Sequence, residues 1–190
     1  MVGGVSISGT VKAKIWKSAD GINWTLIRQI SNTKNDSFVS CIVRGNLLKI
    51  FLRNRIGDVR SIGIVTTDLD GNRHDSVYVN EIPSPGATQQ YYQASASVLD
   101  DKRELLLPTI YNPNTSEETV GCMILDGGYC DTKTISTSAV IDANVKSIYF
   151  ASGLVNIGFK TYAFFSTRNA DHDHFSMGTT QSAIKRIEVK

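Results

Sequence analysis

Three side chains stand out by type and by place. Arg53 ends the run LLKIFLRN, Tyr111 ends LLLPTIYN, and Arg168 ends TYAFFSTRN, each followed or capped by an asparagine. The separations are nearly equal, since 111 − 53 = 58 and 168 − 111 = 57. A guanidinium forks onto a carboxylate through two charge-assisted hydrogen bonds, which is the chemistry needed to grip an acidic ligand. A tyrosine adds a ring to stack on and a hydroxyl to donate or accept. If equal positions in a repeat point to one face, Arg53, Tyr111 and Arg168 belong to one ligand-binding surface. The plainer alternative leaves the arginines solvated or paired on a rim and Tyr111 as an ordinary strand-end residue.

Other chemistry-bearing residues are weaker candidates. Asp171-His172-Asp173-His174 alternates possible metal ligands. In an extended stretch i and i+2 face one way, so each face offers only two ligands of one kind, and a polar loop is the simpler reading. Arg55 and Arg60, with Asp58 between them, read as a basic rim near Arg53. His74 has no companion. Of the glutamates Glu81, Glu104, Glu117, Glu118 and Glu188, none lies in the strand just before Arg53, and a glycosidase pair would have to be brought together by the fold rather than by spacing. There is no phosphate-cradling glycine loop, H-E-x-x-H, G-x-S-x-G or dinucleotide fingerprint, so neither a cofactor nor a metal is expected.

The elements that would hold these residues repeat as well. SIGIVTTD, TVGCMILD and SMGTTQSA align on Gly63, Gly121 and Gly178, which keep the same two spacings without a gap. Val, Ile, Thr, Ser, Tyr and Phe recur in short runs between Gly, Asn and Asp, and no helical apolar period is sustained, so the chain reads as all-β. Each unit reads as four strands: about 37–44, 47–54, 60–67 and 75–80; then 92–99, 104–111, 119–126 and 132–138; then 152–159, 161–168, 175–182 and 184–190. Four antiparallel strands recurring every fifty-odd residues are the pattern of a propeller blade. Pro83-Ser84-Pro85-Gly86 is a loop inside this single domain of 190 residues. A blade fragment over 1–32 and blades over about 33–85, 86–140 and 141–190 make about three and a half blades. Such an arc is a small ring with a short first blade, part of a larger ring, or a ring closed by oligomerisation. Apolar sheet faces left open at its ends predict a homo-oligomer or a partner chain.

The most specific local motif is KIWKSADGINWTLI, with Ser18, Asp20, Gly21 and Trp24 spaced as S-x-D-G-x-x-W. This resembles the Asp-box (BNR) hairpin of sialidases and related propellers. Degraded copies stand at Asp68 to Asp75 and Asp126 to Asp131. The resemblance implies a structural role for the box, with Ser18 and Asp20 bonding turn amides and Trp24 anchoring neighbouring strands. The stretch Gly45 to Gly71 is similar to the blade of sialidases and phage endosialidases in which an arginine holds the substrate carboxylate, with Arg53 in that position and Arg168 on a second such strand. A retaining sialidase also needs a tyrosine nucleophile activated by a glutamate, an acid/base aspartate and three arginines. In the strand before Arg53, where an acidic residue is expected, this chain has Val39 or Ser40. The resemblance therefore implies recognition of an acidic glycan first, as in a viral or phage tail adhesin. A sialidase-like hydrolase completed by further blades or a partner chain is the alternative, and a structural, protein-binding propeller is a third.

Composition excludes several classes. Twenty basic and 18 acidic residues give a formal charge of +2, too little for a nucleic-acid binder driven by bulk charge. With 41% hydrophobic residues the chain can build a core, and disorder is excluded. No apolar run approaches the roughly 20 residues that cross a bilayer, and MVGGVSISGT lacks the regions of a secretory signal. Three cysteines without a CxxC pair suggest free, mostly buried thiols rather than a zinc site or disulfide framework. The compartment stays open.

Overall fold

The computed structural model describes residues 2–7, 10–30, 39–70, 80–100, 102–126, 129–134, 145–170 and 182–189. Among these residues there are strands and no helix. The chain runs through β1 (Val2–Ile7), β2 (Thr10–Lys17) and β3 (Thr25–Ile30), then β4 (Val39–Arg44), β5 (Leu47–Ile56), β6 (Val59–Asp68) and β7 (Asn80–Ile82). It continues with β8 (Gln90–Val98), β9 (Arg103–Asn112), β10 (Glu117–Asp126) and β11 (Tyr129–Thr134), and ends in β12 (Ser147–Ile157), β13 (Lys160–Arg168) and β14 (Ser182–Val189). Every pairing joins chain neighbours antiparallel, giving four meander sheets: β1–β3, β4–β7, β8–β11 and β12–β14.

Local sequence explains the hairpins. Gly45, Gly57 and Gly158 each open a two-residue turn with φ of 58°, 61° and 61°. Glycine first is what a tight hairpin of this kind requires, because a side chain there is strained. Tight pairing follows directly, with Arg44 opposite Leu47, Ile56 opposite Val59 and Ile157 opposite Lys160.

The sheets pack face to face in series. Leu48, Ile50 and Leu52 of β5 and Val65 of β6 meet Ala13 and Ile15 of β2. The alternate residues Phe51, Ile62 and Ile64 point the other way, onto Leu106, Ile110 and Met123 of the third sheet. That sheet in turn sends Leu105, Leu107 and Val120 against Ile148, Ala163 and Phe165 of the fourth. Strands buried on both faces need this near-continuous apolar run, since strand side chains alternate. The first strands adjoin in order, β1 beside β4, β4 beside β8 and β8 beside β12. Among the described residues, no sheet closes into a ring.

Polar links fix the offset between sheets. Ser40 Oγ donates to the Ala94 carbonyl at 2.8 Å, and the Ser97 hydroxyl accepts from the Leu154 amide at 2.5 Å. At the β4–β5 and β8–β9 turns, Arg44 donates to the carbonyls of Asp100 and Arg103, at 2.6 and 3.0 Å. Lys49 reaches the buried Glu104 at 2.5 Å. The β4–β5, β8–β9 and β12–β13 turns thus share one end of the stack, the hairpin end.

Several expectations need correction. The strand beside β13 is β14 over its whole length, with Arg168 opposite Ser182 and Thr161 opposite Val189, rather than a strand over 175–182. Gly63 faces Leu52, next to the partner of Arg53, whereas Gly121 lies between the paired Val120 and Met123, three places past Glu118, the partner of Tyr111. The gap-free match in sequence is therefore not a match in register. The physical reason is turn length: residues 113–116 form the β9–β10 turn, with Ser116 at φ 56°, where Gly57 and Asp58 suffice in the unit before. Gly121 packs tightly, since a Cβ there would come within 3.1 Å of Pro108 and Ile110. Gly178, His74 and the Asp171–His174 cluster lie outside the described residues. Of the cysteines, Cys41 is exposed and Cys122 half-buried, neither in a disulfide among the described residues, so the thiols described are not buried as expected.

Candidate functional site

At the end opposite the hairpin end, side chains from the second, third and fourth sheets converge. Arg53 on β5 and Arg60 on β6 come from one hairpin, Tyr92 on β8, Tyr111 on β9 and Glu118 on β10 from the next sheet, and Tyr149 on β12 and Arg168 on β13 from the last. The Arg53 guanidinium lies 4.5 Å from the centre of the Tyr92 ring. Arg60 sits between two rings, 5.5 Å from Tyr92 and 4.8 Å from Tyr111. Tyr92 meets Tyr111 at 6.1 Å and, edge to face, Tyr149 at 6.0 Å. Arg168 stands 5.2 Å over the Tyr149 ring and donates from Nη2 to its hydroxyl at 2.8 Å. Arg53, Tyr111 and Arg168 thus belong to one continuous layer of guanidinium and phenol groups, linked through Tyr92 and Tyr149.

The backbone around the layer is held by short polar ties. Ser84, in the loop between the second and third sheets, donates to the Arg60 carbonyl and accepts from the Tyr91 amide at 2.7 Å. The buried Gln90 accepts from Arg60 Nη1 at 3.1 Å and donates to the Ala87 carbonyl at 2.9 Å. On the other side, the Lys146 amide donates to the Arg168 carbonyl at 2.9 Å, and Ser147 donates to Ala170 at 2.6 Å. Through the Glu118 amide, the start of β10 is tied to the Lys146 carbonyl.

Burial divides the layer into a floor and a rim. Arg53, Tyr111 and Glu118 are each 5% exposed, whereas Arg60, Tyr92, Tyr149 and Arg168 are half-buried. Burial lowers the affinity of Arg53 for its proton, Tyr92 opposes that electrostatically and through a side-chain hydrogen bond, and the like charges of Arg60 and Arg55 add to the depression. Burial also pushes the Tyr149 phenol far up, helped by the negative charge of Glu118 and a hydrogen bond to it, against the pull of Arg168. Tyr149 is consequently a neutral donor to Glu118 and an acceptor for Arg168. Arg60 is held by neutral groups, the Gln90 carbonyl and two rings, and its Nε is buried without a hydrogen-bond partner.

Sequence reasoning did not reach four members of this layer. Tyr149 follows Tyr92, and Glu118 follows Arg60, at the same spacings that aligned Tyr111 with Arg53 and Arg168, so the period also carried their signal. The expected basic rim holds for Arg55, which is exposed, with Nη1 3.4 Å from the Asp58 carbonyl. Arg60, expected there too, is half-buried and stacks between Tyr92 and Tyr111 at the edge of the layer.

The Asp-box lies at the opposite end. Lys17, at the end of β2, pairs with Asp70, just past the end of β6, at 2.7 Å. Asp20 accepts from the Ile22 and Asn23 amides at 2.9 and 2.8 Å, Ser18 accepts from Gly21 at 2.8 Å, and Gly21 takes φ 74°. Trp24 was expected to anchor neighbouring strands. It is 39% exposed and donates its indole N–H back to the Gly21 carbonyl at 3.1 Å. No group of three or more His, Cys, Asp or Glu side chains sits together among the described residues. Compared with known proteins, the chain matches no family model and no curated protein.

Proposed function

We propose that the protein is a recognition module for acidic glycans, of sialidase-like propeller type, with the arginine–tyrosine layer as its binding face. The observation that carries this reading is Arg60, a half-buried cation held by neutral groups beside two further arginines. Guanidinium groups backed by aromatic faces suit the carboxylate and the ring of an acidic sugar. Tyr92 and Tyr149 offer the reachable ring edges, while Arg53 and Tyr111 lie beneath them. Four sheets stacked through their first strands fit an arc of propeller blades. The outer faces of the first and last sheets would then meet further blades, a partner chain or a second copy. Leu26 on the first and Ile184 on the last are exposed there.

On a glycan array, the wild type is expected to bind acidic glycans in preference to neutral ones, and Arg53→Ala and Arg168→Ala are each expected to abolish the signal. Binding that survives both substitutions would remove these arginines from the site.

One observation favours a hydrolytic reading as well. Tyr149 donates to a buried glutamate and is gripped by an arginine, which resembles the tyrosine and glutamate pair a retaining sialidase requires. Release of fluorophore from a sialoside, lost in Tyr149→Phe, would establish that reading, and its absence would leave recognition alone.

A further inference from the structure

The guanidinium groups of the layer sit in different surroundings. Arg53 is 5% exposed and lies under Tyr92, with which it shares a side-chain hydrogen bond. Arg168 is half-buried, and its Nη2 donates to the Tyr149 hydroxyl, which is in turn hydrogen-bonded to Glu118. A buried carboxylate thus stands one side chain away from Arg168. Arg60 differs from both. It is half-buried at the edge of the layer, and its described partners are neutral: the Gln90 carbonyl and the Tyr92 and Tyr111 rings.

Arg60 is also held in place. Gln90 Oε1 accepts from the Arg60 amide at 3.4 Å and from its Nη1 at 3.1 Å, so one oxygen ties the root and the tip of the side chain. Gln90 is itself 7% exposed, and its Nε2 donates to the Ala87 carbonyl at 2.9 Å, which fixes the carbonyl end toward Arg60. A side chain ordered before the ligand arrives loses little further freedom on binding. Its planar guanidinium then offers N–H donors to an acid group in fixed directions. We infer that Arg60 makes the direct contact with the ligand's acid group, with Gln90 as its positioning residue and Arg53 acting from beneath by holding Tyr92. This rests on the acidic-glycan reading of the layer, and it departs from the sialidase resemblance, which gives that contact to Arg53.

Arg55 supplies a matched control, because it faces Arg60 across the β5–β6 hairpin and carries the same charge on the exposed rim. The test is an array of sialylated, uronate-containing and neutral glycans, probed with the full chain at low and at physiological salt. Arg60→Gln is expected to lower the signal on acidic glycans at least tenfold and to weaken its dependence on salt. Gln90→Glu, which sets a carboxylate against Arg60, should lower it as well, whereas Arg55→Gln should leave it within about twofold. Near-ultraviolet circular dichroism reports whether the tyrosine rings stay packed. Where they shift in Arg60→Gln, Arg60→Lys decides: restoring the cation should regain part of the binding, and no regain would count against the contact. Unchanged binding in Arg60→Gln would overturn the inference and leave the glycan reading standing. An equal loss in Arg55→Gln would overturn it too, by assigning the effect to the general charge of this end. A wild type without preference for acidic glycans would instead sink the reading itself, and the inference with it.

Discussion

Tyr92 is the side chain on which the site turns. Two guanidinium groups stack on its ring and two other tyrosines touch it, so it carries both the spacing and the electrostatics of the layer. A cation over an aromatic face is worth about 0.5–2 kcal/mol, more as the pair is desolvated. Tyr92→Ala removes two such contacts and is expected to weaken glycan binding tenfold or more in a titration. Tyr92→Phe keeps the ring and gives up only the hydrogen bond shared with Arg53, so most of the affinity should remain. Equal losses in the two variants would place the effect on the hydroxyl, and no loss in either would take Tyr92 out of the site. Its importance was hard to see in advance because Tyr92 is the extra residue of a β-bulge, between Tyr91 opposite Ile110 and Gln93 opposite Thr109, so Tyr91 enters the core while Tyr92 turns toward the arginines. Glu118 was hidden for a related reason, since its use depends on Tyr149, a tyrosine of the next sheet.

At the scale of the element, the turns carry charges whose state differs between folded and unfolded chains. Arg103 and the amides of Lys102 and Arg103 hold the Asp100 carboxyl at about 2. The Asn23 and Ile22 amides hold Asp20 well below the usual carboxylate range. Both folded values lie under the unfolded value of about 3.9, so protons bind the unfolded chain first. These turns therefore add stability above pH ~4 and lose it as the pH falls toward ~2. Thermal melts from about pH 5 to about pH 2 should show a modest fall in Tm in that window, since both turns are exposed, and the double variant Asp20→Asn, Asp100→Asn should lessen the fall. An identical slope in the variant would assign acid sensitivity to other carboxylates. Element boundaries were legible where local chemistry decides them, as at the glycine-first turns of Gly45 and Gly57. They failed between β13 and β14, where a long connection leaves register to be settled by which residues face the core. They also failed at β9–β10, where a longer turn moved Gly121 two places against Gly63.

Across the whole molecule, stability comes from serial burial. The second and third sheets are covered on both sides, and β5 illustrates this by sending Leu48, Ile50 and Leu52 one way and Phe51 the other. The first sheet is thus a lid on the second. A chain lacking residues 1–38 would leave Ile50 and Leu52, now 0% and 1% exposed, facing water. That variant should aggregate or bind a hydrophobic dye strongly, as followed by light scattering and dye fluorescence. An unchanged Tm with no dye binding would mean the first sheet contributes little to the core. The same serial order keeps the arginine–tyrosine layer at the end away from the β4–β5 and β8–β9 turns.

The residues by themselves determined that this chain is built of β-strands, that its units recur at a nearly constant spacing, and that arginine and tyrosine occupy matching places. Those are local facts, fixed by side-chain alternation, by glycine at turns and by identity at a given spacing. Only the tertiary structure decided which sheet face meets which, that Arg60 enters the layer while Arg55 stays on the rim, and that Glu118 comes to Tyr149. Contacts between sheets depend on register and turn length, and a shift of a single place sends a side chain to the opposite face.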